Sequence, residues 1–237
     1  AGKYKLIVPD QRGRGRSDRD PDPKNYTPAI YVEDMFALLD GLAIDRMGLI
    51  GTSMGGLMAM MMAAMQPERF DSLILNDIGP AVDAAGLARI QSYVGALAPF
   101  DSWQKAADHC RSVHGDSFPD YSAQDWQVFA RHVCEQRADG RIYMAYDPAI
   151  SEGLSGTDPT VVPPDLWAIW DQLSALPVLV IRGALSDILS AATVAEMKLR
   201  HSGTFAAVDI PSRGHTPMLG EPEALAAIDR FHAELEN

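Results

Sequence analysis

Leu49-Ile50-Gly51-Thr52-Ser53-Met54-Gly55-Gly56 joins two kinds of sequence. Before it, residues 47–50 are a short apolar run, as a buried strand is. After it comes a run rich in Met and Ala, as a helix is. The order is strand, tight turn, helix, with Gly-x-Ser-x-Gly in the turn and Ser53 at its apex. A serine hydroxyl is a poor nucleophile unless it stands clear of its backbone and meets a base. The sharp turn gives that exposure. Its crowding predicts glycine two residues before and two after Ser53, at Gly51 and Gly55, where a Cβ would clash. The backbone N–H of Met54, at the helix start, can point at a developing oxyanion.

Working outward, the chain has 237 residues and 47% hydrophobic content, which suits one sizeable domain with an inserted subdomain. No apolar run approaches the roughly 20 residues of a membrane-spanning helix. The net charge of −12 repels phosphate backbones and argues against nucleic acid as a partner. Cys110 and Cys134 have no metal-like spacing and read as reduced, partly buried thiols, which implies a reducing, cytoplasmic setting.

Residues 4–8 read as a short buried strand, followed by a charged, glycine-containing loop, Asp10-Gln11-Arg12-Gly13-Arg14-Gly15-Arg16-Ser17, held by Asp10 and Arg12. Thr27-Pro28 starts a helix: an N-cap hydroxyl, then proline at the first helical position. Strands are expected at 47–50, 72–75, 177–181 and 205–210. Helices are expected after Ser53, from Asp165, over 191–200 and from Pro222. The helix after Ser53 is apolar all round, so its methionines pack in a core. Over 81–164 the strand–helix alternation is lost. Helical patterns at 84–97, 102–113 and 123–137 make this stretch a helical insertion, a cap, between core segments 1–80 and 165–237. The core is therefore α/β, a mostly parallel sheet with helices on both faces. Ligands of such sheets sit at the carboxyl ends of the strands. Ser53, Asp187 and His215 each lie just past such an end.

The order Ser53, Asp187, His215 resembles that of the α/β-hydrolase superfamily. The 10–17 loop looks like the family's loop after its fourth strand. Gly51 to Gly56 resembles its nucleophile elbow, Gly183 to Asp187 its acid loop, and Gly214-His215 with Glu221-Pro222 its histidine loop and last helix. The resemblance implies that Ser53 attacks an acyl carbonyl and His215 shuttles the proton. Asp187 fixes the imidazole, and the Met54 N–H stabilises the oxyanion. Asp77 also follows a strand, and some family members place their acid there; Asp187 fits the commoner loop. His109, His114, His132, His201 and His232 lie in or beside helices and read as packing or surface residues.

This reading implies a serine hydrolase of small or medium carboxylic esters, acting on a small molecule without metal or organic cofactor. Lactonases share the triad. Carbon–carbon bond hydrolases of this type commonly carry tryptophan after the histidine, where this chain has Thr216. Aspartate-nucleophile dehalogenases and epoxide hydrolases do not fit Ser53. A non-catalytic, ligand-binding member of the fold would be expected to lack a triad residue.

The resemblance makes residues 4–8 the family's fourth strand and 47–50 its fifth, with the third between them. Only three residues precede Tyr4, so the expectation is that N-terminal strands are absent from this sequence. About 40–60 further residues are then expected upstream, and an unfilled slot should separate 4–8 from 47–50. The second oxyanion donor, from the loop after the third strand, would be missing too.

Overall fold

The computed structural model describes residues 3–95, 97–155 and 166–236. Four strands form one parallel sheet: β1 (Met47–Thr52), β2 (Phe70–Asn76), β5 (Val178–Gly183) and β6 (Phe205–Ile210), in the order β1-β2-β5-β6. Each outer strand pairs with a central one over six positions, for example Ile50 with Ile74 and Ile181 with Val208. The central strands carry continuous β-branched and leucine runs because both of their faces are covered. Leu73, Ile74, Leu75, Val178, Val180 and Ile181 are fully buried.

Side chains alternate between two cores. Leu73, Leu75, Val178 and Val180 face one core, shared with α1 (Pro28–Gly41), α2 (Met54–Met65) and α7 (Leu166–Gln172). Ile74, Leu179, Ile181 and Ile210 face the other, closed by Ala224 and Phe231 of α9 (Pro222–Leu235). α1 begins as its sequence dictates, with the Thr27 hydroxyl accepting from the Ile30 N–H and proline next. Met58, Met60 and Met62 of α2 are buried, as core packing requires, whereas Met65 at its last turn is exposed. The expected α/β architecture is therefore present.

Between β2 and α7 lie α3 (Ala84–Tyr93), α4 (Trp103–His114), α5 (Ala123–Val133) and α6 (Ile150–Ser155). Ala106, Cys110, Phe118, Trp126, Phe129, Ala130 and Ile142 form a third cluster here, separate from the sheet's two cores. Cys110 and Cys134 are both free and buried in it. The helix read over 84–97 stops at Tyr93, and the one read over 123–137 stops at Val133. β3 (Cys134–Gln136) instead pairs with β4 (Ile142–Met144) in an antiparallel hairpin. The cause lies in Asp139-Gly140. Gly140 adopts φ +79°, and the Asp139 carboxylate accepts from the Arg141 N–H, closing a turn that no helix can hold. The end expected for this insertion, at 164, and the helix start at Asp165 lie outside the described residues.

A second correction concerns residues 4–8, which form no strand. They carry no regular secondary structure, with Leu6 and Val8 exposed, and have no ladder partner. They line a cavity of about 930 Å³ together with β1; Met35, Leu39, Ile50, Met58 and Met62 also line it. Without a neighbour to take its N–H and C=O groups, the 4–8 stretch is not a strand.

Candidate active site

Ser53 sits at the β1–α2 turn with φ +52°. A non-glycine residue holds that left-handed value only where its surroundings enforce it. Here its N–H donates to the Asn76 carbonyl of β2, and its own carbonyl accepts from the Gly56 and Leu57 N–H groups. The glycines around it divide differently from expectation. A Cβ on Gly51 would fall 2.4 Å from the Gly55 carbonyl oxygen, and one on Gly56 would fall 2.3 Å from Ile78 Cγ2. A Cβ on Gly55 would meet nothing within 4 Å. Gly51 and Gly56 are thus the positions that let strand and helix close on each other; Gly55 is not.

The Ser53 hydroxyl lies 2.8 Å from His215 Nε2. On the other side of the ring, His215 Nδ1 lies 2.8 Å from Asp77 Oδ2. A carboxylate can only accept, so Nδ1 carries the hydrogen and Nε2 is left to accept from the serine. The sequence expectation for the acid is corrected at this point: the residue that meets His215 is Asp77, not Asp187. Asp77 follows β2 with φ +55°. Its side chain has no exposed surface, whereas that of Asp187 is 39% exposed. Asp77 Oδ1 accepts from the Gly183 N–H (2.8 Å), and Oδ2 also accepts from the Ser186 hydroxyl (2.6 Å). Ser186 in turn accepts from the Ile188 and Leu189 N–H groups. The loop after β5 thus sends its serine inward to support Asp77 and turns Asp187 outward.

There Asp187 meets Arg89 of α3 in a two-pronged pair of 2.5 and 2.8 Å. The Arg89 guanidinium holds the Asp187 carboxyl below the usual carboxylate range. The histidine loop is fastened independently. The Asn76 side-chain amide donates to the Pro217 carbonyl, the Gly214 N–H to the Ser117 carbonyl, and Arg213 to Asp120 and Glu221. None of the other five histidines bonds Ser53. His114 is the nearest in influence: its imidazole is pushed down to about 4, chiefly by burial, then by the charges of Arg89, His109 and His215. It packs edge-on to Tyr93.

The Met54 N–H occupies the first position of α2, where no intrahelical acceptor exists. A polarised serine, a base of fixed tautomer, a buried carboxylate and a free helix-start N–H together can perform acyl transfer.

Comparison with known proteins agrees with this layout. A family model described as the alpha/beta hydrolase fold matches residues 1–204. The 3-hydroxybutyrate-oligomer hydrolase of Cupriavidus necator is 32% identical over 97% of this chain and 80% of its own length. An esterase of Mycobacterium tuberculosis is 27% identical over 97% of this chain and 74% of its own. The crystal structure of an alpha/beta hydrolase from Novosphingobium aromaticivorans superposes with a TM-score of 0.88. Its identity is 41%, and the match covers 96% of this chain and 78% of that one.

Proposed function

The chain belongs to the α/β-hydrolase fold family, and on that premise we propose that it is a serine hydrolase of carboxylic esters with small or medium acyl groups. One observation carries the reading: the unbroken chain from Ser53 through His215 to Asp77, each link 2.8 Å. Ser53 Oγ attacks the ester carbonyl carbon while its proton passes to His215 Nε2. Asp77 holds the ring and stabilises the imidazolium. The Met54 N–H donates to the oxyanion; one such donor is typically worth about 3–4 kcal/mol. The alcohol leaves with the proton from His215. Water, deprotonated by the same nitrogen, then releases the acid from Ser53.

The 81–164 insertion serves as the cap of this site. Support comes from Arg89 on Asp187 and from the Ser117 carbonyl on the N–H of Gly214, beside His215. The 32%-identical relative is named as a 3-hydroxybutyrate-oligomer hydrolase, which supports a small hydroxyacyl substrate. A lactone presents the same bond.

The test is covalent and kinetic. A fluorophosphonate should label the protein, and Ser53→Ala should abolish both labelling and the hydrolysis of p-nitrophenyl butyrate and of 3-hydroxybutyrate dimer. Labelling that survives in Ser53→Ala would remove Ser53 from the nucleophile's place.

A further inference from the structure

Three arginines alternate along the 10–17 loop, and the middle one is used differently from its neighbours. Arg12 donates to Asp34 at 2.9 and 2.7 Å and also pairs with Asp20. Arg16 stands 3.8 Å from Asp10. Arg14 has no carboxylate partner among the described residues. Its Nη1 donates to the Tyr31 hydroxyl at 3.2 Å, its guanidinium stacks 5.4 Å from the centre of that ring, and its Nη2 lies 3.9 Å from the Met54 sulfur. Tyr31 is buried. All these partners are neutral, so a half-buried positive charge is left uncompensated in a chain whose net charge is −12.

The position is also fixed. The Gly15 N–H donates to the Ala145 carbonyl at 2.8 Å, and the Asp147 N–H donates to the Gly13 carbonyl at 2.7 Å. Arg14 thus forms a bridge with Tyr146 in the segment that leads into α6. Glycines flank it at φ +75° and +54°, so the backbone turns sharply on either side. The guanidinium is held against the side chain of Met54, the residue that follows the nucleophile. A cation held by neutral partners against Met54, the residue next to the reacting serine, has the chemistry of a substrate anchor, because its fork of N–H groups matches a carboxylate.

We propose that Arg14 recognises a free carboxylate on the substrate, so that the preferred esters of this enzyme are anionic. The proposal rests on the ester-hydrolase reading. Its test is a short series of butyryl esters of ω-hydroxyacids, each set against the same ester with its terminal carboxylate converted to a carboxamide. For the best member of the series, wild-type kcat/KM should favour the carboxylate by about tenfold or more, chiefly through KM. Arg14→Met should remove that ratio, and Arg14→Lys should retain part of it. A wild-type ratio near one across the series overturns the proposal. So does an Arg14→Met loss that is equal for the charged and neutral esters. Binding is read separately on Ser53→Ala protein by calorimetry with the uncleaved carboxylate ester and its carboxamide. There Arg14→Met should weaken the carboxylate ester by about tenfold and abolish its advantage over the carboxamide. Equal affinities before and after the change refute the role of Arg14. If the wild type cleaves none of the esters, the hydrolase reading fails, and this binding measurement still decides the anchor.

Discussion

The loops after β2 and β5 each carry an aspartate a few residues from a buried strand, and the two carboxylates have opposite surroundings. Asp77 is sealed in and bonded to a backbone N–H, a hydroxyl and an imidazole. Asp187 stands half in solvent against a guanidinium from α3. The difference teaches that sequence position at a strand end selects candidates, while neighbouring donors select the residue. Ser186 is the hinge of the choice: by reaching Asp77 it directs the loop so that the next side chain points away.

The largest test of this contrast is kinetic. Asp77→Asn should lower kcat/KM for a neutral p-nitrophenyl ester by about 10³–10⁴-fold, since the amide stabilises the wrong tautomer and no imidazolium. Asp187→Asn should cost less than about tenfold in the same assay. Equal losses would erase the distinction.

Acid unfolding sharpens it next. His114, on the Arg89 side, stays neutral in the fold down to about pH 4, whereas an unfolded histidine protonates near 6.5. Between those values the unfolded chain binds the extra proton, so stability falls as pH drops from 6.5 to 4, by about 3 kcal/mol from this group. Urea midpoints should track that fall, and His114→Phe should flatten it.

Ser186→Ala removes a hydroxyl that serves Asp77 and two backbone N–H groups. A destabilisation of about 1–2 kcal/mol is expected, with a fall in kcat and little change in KM. An effect on stability alone would mean that Asp77 needs no support from this loop.

The smallest effect belongs to the Asp187–Arg89 pair. Both partners are about a third exposed, so solvent screening limits it to less than about 1 kcal/mol. Asp187 has its carboxyl lowered in the fold. Its contribution is therefore present above about pH 4 and is lost as pH falls through the lowered value. Wild type and Asp187→Asn should differ in urea midpoint at neutral pH and converge at the acid end.

Much of this was legible in the residues. Ser53, His215 and the strand–helix alternation follow from pattern, because a parallel sheet leaves continuous apolar runs and its ends collect functional side chains. What escaped was decided by tertiary contact. Gly55 and Gly56 look alike in sequence, yet only Gly56 faces Ile78. The β3–β4 hairpin announced itself in Asp139-Gly140 but was overridden by the helical spacing before it. Asp77 also stands at a strand end, but nothing local to Asn76-Asp77 reveals that Gly183 and Ser186 donate to it from more than a hundred residues away.

Every side-chain bond of Asp77 comes from residues between Gly183 and His215. The 81–155 stretch supplies none of them among the described residues. The bonds that hold the acid and the insertion between β2 and α7 are therefore separate parts of the molecule. A graft that exchanges the helices between β2 and α7 for those of a relative leaves the buried acid's ligands untouched. The same exchange does reach the histidine loop, because the Ser117 carbonyl and Asp120, which hold Gly214 and Arg213, lie in the exchanged stretch.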